Sequence, residues 1–200
     1  MTQDHYFSAD PASPSELRER DVVLAGRPVT VRTAGGIFSP DGIDKGTAVL
    51  LRHVPDPPAT GTFLDLGCGW GALALTLALI SPGATVHAVD VNQRALDLVR
   101  RNAAALGCAV TALTPEEAPG DAAYDLIWSN PPIRVGKAVL HEMMRTWLPR
   151  LAPAGQAWLV VQKNLGADSL LSWLTDQFPD LSVDRPATSG GFRIIRVARP

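Results

Sequence analysis

From Thr62 to the end of the chain, short apolar runs and longer amphipathic stretches take turns. Thr62 to Leu66, Thr85 to Val89, Ala109 to Leu113, Tyr124 to Ser129 and Gln156 to Gln162 are brief runs of the kind that form buried strands, and Leu181 to Asp184 and Phe192 to Val197 close the series. Between them, Ala72 to Ile80, Asn92 to Leu106, Val135 to about Leu151 and Ser169 to Phe178 predict helices, with Gly107 stopping the second. This alternation predicts an α/β fold: a doubly wound, mostly parallel, seven-stranded sheet with helices on both faces and ligands at the carboxyl ends of the strands. Trp128, Trp147, Trp158 and Trp173 fall on predicted elements and read as core.

The first third is patterned differently. Residues 1–20 are polar and proline-bearing and read as an arm laid over the domain. Asp21 to Leu24 and Val29 to Arg32 predict a small hairpin around Ala25-Gly26, and residues 35–42 are too glycine-rich for a strand. A helix opens at Asp44 and runs to about His53, where Pro55 and the Pro57-Pro58 pair stop it. The expected organisation is therefore an arm, hairpin and helix over 1–54 packed on a main domain over 55–200, as one compact unit. There is no internal repeat and no low-complexity segment.

Between the first strand and helix of the alternating region stands Leu64-Asp65-Leu66-Gly67-Cys68-Gly69-Trp70-Gly71. Glycines here let the backbone turn sharply into a helix N-terminus and let a ligand lie against it, as nucleotide-binding loops require. Gly67-x-Gly69-x-x-Ala72 also satisfies the dinucleotide fingerprint, so glycines alone leave a nicotinamide cofactor open. Asp65 ahead of the first glycine, with a third glycine at 71, favours S-adenosylmethionine, and the stretch resembles motif I of the class I methyltransferases.

Composition narrows the setting more than the chemistry. Cys68 and Cys108 show no paired spacing, and neither a secretory signal nor a stretch long enough to span a bilayer is present, so a cytoplasmic protein is expected. His5, His53, His87 and His141 lack metal-ligand spacing, and no metal is expected. A net charge of -2 gives no global attraction to nucleic acid; a polynucleotide would have to be held by a local basic patch.

Asp90 ends the second strand of the series, where a carboxylate faces the glycine loop and can accept hydrogen bonds from ribose hydroxyls; the competing reading is a cap for the helix beginning near Asn92. Asp65 has two open readings, contact with the methionine amino group or stiffening of the loop. Glu116 and Glu117 are the candidates for reading an adenine amino group. Asn130-Pro131-Pro132-Ile133 follows the fourth strand, beside the glycine loop in this topology. An exocyclic amine is a poor nucleophile because its lone pair is delocalised. Two carbonyl oxygens, of the Asn130 side chain and the Pro131 backbone, can accept its hydrogens, align it and favour pyramidalisation without a titrating base.

Together with these loops, Asp4-His5-Tyr6-Phe7-Ser8, Gly36-Ile37-Phe38-Ser39, Asp44-x-Gly46-Thr47, Arg134-x-Gly136-Lys137, Gln162-Lys163 and Gly190-Gly191-Phe192-Arg193 resemble the "small" methyltransferase family over nearly the whole chain. That family includes single-domain enzymes acting on guanine N2 of 16S ribosomal RNA. The resemblance implies a Rossmann-like class I methyltransferase with a small N-terminal hairpin, S-adenosylmethionine as cofactor, and ribosomal RNA or the small ribosomal subunit as substrate. It implies cofactor contacts at Asp65, Gly67, Cys68, Gly69, Gly71, Asp90, Val91 and Asn130, and catalysis at Asn130, Pro131, Pro132 and Ile133. Ile133 departs from the aromatic that commonly follows N-P-P in the wider family, leaving Phe38 or Trp70 to supply an aromatic face. Arg134, Lys137 and Lys163 are expected to gather at the open end of the site and bind phosphates. The competing functions are methylation of a glutamine amide or an adenine amine, and a non-catalytic binding domain.

Overall fold

The computed structural model describes residues 16–200; the Asp4–Ser8 motif and most of the expected N-terminal arm lie outside the described residues. Strands β1 (Arg18–Leu24) and β2 (Arg27–Thr33) pair antiparallel, with Leu24 opposite Arg27. Ala25 and Gly26, at φ 50 and 73, make the two-residue turn whose twist matches the strands. Helix α1 (Lys45–His53) starts at Asp44, whose carboxylate accepts from the Gly46 and Thr47 amides, and ends at Val54, the residue before a proline.

The main sheet holds β3 (Thr62–Leu66), β4 (Thr85–Val89), β5 (Val110–Leu113), β6 (Tyr124–Ser129), β7 (Leu151–Gln162), β8 (Ser182–Ser189) and β9 (Phe192–Ala198), in the order β5-β4-β3-β6-β7-β9-β8. The pairs among the first five of that order are parallel, whereas β9 runs antiparallel to both β7 and β8. Helices α2 (Ala72–Ile80) and α3 (Gln93–Leu106) pack with α1 on one face, α4 (Lys137–Trp147) and α5 (Ala167–Gln177) on the other, over separate apolar cores. In α2 every residue from Ala72 to Ala78 is buried, which its alanine and leucine sequence permits on all sides. It lies between the sheet and the hairpin, whose Leu24 and Val31 join a third cluster with Leu75 and Leu98. Buried Asn102 of α3 ties this together: its Oδ1 accepts the Arg32 amide at 2.7 Å, and its Nδ2 donates to the carbonyls of Arg32 and Trp70 at 3.0 and 3.1 Å.

Four expectations need correction. The helix placed over Val135 to Leu151 is shorter, because Gly136, at φ 100 and ψ 155, separates a single 3₁₀ turn (Ile133–Val135) from α4, and a second such turn at Leu148–Arg150 follows. Strand β7 begins at Leu151 rather than Gln156, with a register irregularity that accommodates Pro153, and β8 continues past Asp184 through a bulge at Pro186 on the sheet edge. Trp128, Trp147 and Trp158 are core, but Trp173 is only half-buried, stacked on His141 with ring centres 3.7 Å apart and Arg145 5.3 Å from its ring.

Candidate active site

The chain leaves β3 toward β4 and β5 and returns to β6 on the other side of β3, so the carboxyl ends of β3 and β6 flank the point where winding reverses, the usual crevice for a ligand. Ser129 Oγ donates to the Leu66 carbonyl at 2.6 Å and pins those ends together. After Leu66 the backbone stays anchored to the neighbouring strand: the Gly67 and Cys68 amides both donate to the Val89 carbonyl, at 2.9 and 3.0 Å. Gly71, at φ 98, forms the N-cap of α2, and a β-carbon there would lie 3.1 Å from Val99, so the turn excludes a side chain twice over. The three loops converge: a β-carbon at Gly67 would stand 3.9 Å from Pro132, and one at Gly69 3.7 Å from the Phe38 carbonyl.

Two carboxylates sit under this loop with different tasks. Asp65 is buried; its Oδ2 accepts the Ala74 amide at 2.8 Å, while Oδ1 has no partner. Burial, opposed by that bond and helped by the charge of Asp90, pushes its carboxyl up to about 7. Asp90 accepts the Gly69 amide at 2.9 Å and the Asn92 amide at 3.0 Å; burial raises its pKa and these backbone donors restrain the rise. The helix cap belongs to Asn92, whose Oδ1 accepts from Arg94 and Ala95, so Asp90 braces the glycine loop. Asn92 Nδ2 and Arg94 also donate to the Gly36 and Gly35 carbonyls, each at 2.8 Å, holding the 35–42 loop over the crevice. The Cys68 thiol, also on the wall, is pushed well up by burial and the two nearby carboxylates, which keeps it protonated and inert.

Asn130 sits on the wall shared by the cavity beside Asp65, the cavity beside Asp90 and an outer cleft of about 220 Å³. Its Nδ2 donates to Asp44 Oδ2 at 2.8 Å and to Thr47 Oγ1 at 3.1 Å. A carboxylate can only accept, so the amide group facing Asp44 is the NH₂ and the carbonyl oxygen is turned away. The adjoining Pro131 carbonyl accepts the Ile133 amide at 2.8 Å and keeps its second lone pair.

Of the other expected site residues, Phe38 lines all three cavities, and Pro131, Pro132, Gly67 and Gly69 also reach a wall. Gly71 shapes the turn, and Val91 stands 42 % exposed next to Asp90, an apolar side chain at the rim. Ile133 and Arg134 line the outer cleft; Lys137 and Lys163 are exposed but form no part of its wall. Trp70 is buried, with Nε1 donating to the Gly42 carbonyl at 3.3 Å, so the aromatic rings on the outer cleft are those of Phe38 and Phe192. Glu116 and Glu117 are exposed, and Glu117 closes a reciprocal turn with Thr114, its carboxylate accepting the Thr114 amide at 2.9 Å. Among the wall residues not singled out from sequence are Asp44, Thr47, Gln162 and Phe192. Each lies inside a motif that carried the family resemblance, so the signal was present without a role attached.

The site fits S-adenosylmethionine on its own terms. The unpartnered Asp65 oxygen lies on a wall with Gly67, Cys68 and Gly69, where the ammonium of a methionine moiety would supply the missing donor and a compensating charge. A family model described as the methyltransferase small domain matches residues 28–196. The uncharacterized Bacillus subtilis protein YbxB is 33% identical over 90% of this chain and 92% of its own. A Pseudomonas entomophila ribosomal RNA small subunit methyltransferase C is 33% identical over all of this chain but 59% of its own length, and a Pseudomonas paraeruginosa ribosomal RNA large subunit methyltransferase G is 33% identical over 82% and 45%. The chain thus spans about half the length of the ribosomal RNA methyltransferases it matches. Among solved structures, a Thermus thermophilus 16S rRNA N2 G1207 methyltransferase (RsmC) in complex with AdoMet and guanosine superposes with a TM-score of 0.80 at 26% identity, over 94% of this chain and 52% of that one.

Proposed function

The chain belongs to the methyltransferase small domain family, S-adenosylmethionine-dependent enzymes, and from that premise we propose that it methylates the exocyclic N2 amine of a guanine in ribosomal RNA, with 16S RNA of the small subunit as substrate. The observation that carries the reading is Asn130: its carbonyl oxygen, free of any partner among the described residues, belongs to a side chain common to the glycine-loop cavities and the outer cleft. When bound, the cofactor supplies an electrophilic methyl group on a sulfonium. Asp65 would hold its ammonium, and Asp90, with the loop it braces, would hold its nucleoside end. Asn130 Oδ1 and the remaining lone pair of the Pro131 carbonyl would accept the two hydrogens of the target amine, fix the direction of its lone pair and stabilise positive charge on nitrogen as it forms. No side chain has to take the proton during transfer; it leaves to solvent afterwards. Phe38 lines the cleft where the base would lie, and Arg134 offers a cation for the neighbouring phosphate.

Guanine is supported over other planar amines by the guanosine complex of the structural neighbour and by the ribosomal RNA enzymes among the relatives. The test is transfer of a labelled methyl group to small subunits, large subunits, their isolated RNAs and total ribosomal protein, with the product identified by mass spectrometry. N2-methylguanine in 16S RNA is the expected product. Methylated adenine or glutamine would replace the reading.

A further inference from the structure

We infer that Asp44 is a positioning residue for methyl transfer: together with Thr47 it locks the Asn130 amide in one orientation, so that the carbonyl oxygen and never the NH₂ meets the target amine. The inference rests on the proposed amine chemistry for its functional meaning and on geometry for its existence.

An asparagine amide left to itself turns over easily, because its two ends are alike in size. Here one end is identified. Asp44 Oδ2 lies 2.8 Å from Asn130 Nδ2, and Thr47 Oγ1 lies 3.1 Å from the same nitrogen. Turning the amide over would place a carbonyl oxygen against a carboxylate oxygen, two acceptors with no proton between them. The same Asp44 oxygen accepts the Gly46 amide at 2.7 Å and the Thr47 amide at 3.3 Å, so the carboxylate is held by the first turn of α1. Gly46 makes the approach possible: a β-carbon there would lie 2.9 Å from Asp44 Oδ2, 3.1 Å from Phe192 and 3.2 Å from Asn130 Nδ2. The spacing Asp44-x-Gly46-Thr47 therefore supplies an acceptor, a gap and a second acceptor to one side chain 83 to 86 residues away. A helix cap alone needs neither the gap nor the second acceptor. The negative charge behind the NH₂ also polarises the amide toward its oxygen, the end that meets the amine.

Replacing Asp44 separates the two duties. Asp44→Ser keeps an N-cap acceptor but is too short to reach Asn130, whereas Asp44→Asn keeps an acceptor oxygen at the same distance. In single-turnover methyl transfer, Asp44→Ser is expected to lower the rate about 10- to 100-fold, the range for losing a hydrogen bond to a charged group that aligns a reacting centre, with cofactor affinity and melting temperature unchanged. Asp44→Asn restores the rate to within a few-fold. In an Asn130→Ala background, Asp44→Ser should cost nothing further, which a purely structural role would not predict. Independently of any substrate, side-chain amide NMR of the cofactor-bound protein should show the Asn130 NH₂ protons slow to exchange with solvent in the wild type and in Asp44→Asn, and fast to exchange in Asp44→Ser. An unchanged rate in Asp44→Ser, an equal further loss in the Asn130→Ala background, or unprotected Asn130 protons in the wild type would each overturn the inference. A wild type that methylates no ribosomal RNA would overturn the proposed function instead, with the amide protons still reporting on the lock.

Discussion

Asp65 and Ala74 are joined by a 2.8 Å hydrogen bond from the first turns of α2 to one carboxylate oxygen, while the second oxygen is buried without a donor. An arrangement that leaves half a carboxylate unsatisfied in the free protein is one that a cationic ligand completes. With the folded-state value raised to about 7 from 3.8, the folded chain holds a proton that the unfolded chain has released, so this group's contribution to stability falls as pH rises from about 4 to about 7. Asp65→Asn should flatten that part of the wild-type curve, as read by denaturant titration at successive pH values.

The same site gives a linkage in ligand binding. An ammonium favours the ionised carboxylate, so S-adenosylmethionine should bind more tightly as pH rises toward and past about 7, releasing a proton below it. Calorimetry in buffers of different ionisation enthalpy measures the release. Binding in Asp65→Asn should be weaker and should release none at this group.

Asp90 holds two loop amides, those of Gly69 and Asn92. Removing it in Asp90→Ala leaves both donors underpaired and should weaken cofactor binding by about 1 to 3 kcal/mol, measured by titration calorimetry. Unchanged affinity would mean that the loop keeps its shape unaided.

Asn130→Ala should slow the chemical step by about 10² to 10³ with cofactor affinity nearly unchanged, as for losing one preorganised polar group. Asn130→Asp is more informative. It sets two carboxylates at the 2.8 Å distance now spanned by an amide and an acid, an arrangement that holds one proton between them. Protonated, the new side chain donates to Asp44 and presents its carbonyl as before. Its single-turnover rate should therefore rise as pH falls through the pair's upper titration, a trend absent from the wild type.

Arg134 is the basic side chain that reaches the outer cleft, whereas Lys137 and Lys163 lie off its wall. Arg134→Ala should weaken RNA binding and reduce the salt slope by about one ion, whereas the two lysine changes together should cost less. Cofactor affinity serves as the control and should not move.

The sheet and its helices were legible because their signals are local: apolar runs cut off by glycine, proline or an acid place β3, α2, β4 and β6 to the residue. Where boundaries shifted, the deciding feature was a backbone conformation rather than a pattern, as at Gly136 and at the irregularities that excuse Pro153 and Pro186 from donating. Asn130 and the glycine loop could be anticipated because each follows directly on a predicted strand, and Phe38 because it lies in a motif that carried the resemblance. Asp44 and Thr47 could not be given a role, since a helix cap and a site residue look alike until the chain brings them against Asn130. Phe192 and Gln162 were hidden by the antiparallel turn of β9 against β7, which sets them opposite one another at the cleft.

Asn102 offers both faces of its amide to one residue of β2, taking the Arg32 amide hydrogen and giving one to the Arg32 carbonyl. That is the pattern a neighbouring strand would present, so a single side chain stands in for a third strand at the hairpin margin. A two-stranded ribbon with an open margin invites a copy of itself to complete it. Here the vacancy is filled from within the same chain, by a residue that also grips the carbonyl between Gly69 and Gly71. Recruitment of a second ribbon along this margin would have to pull Asn102 away from the carbonyl it holds inside the glycine loop.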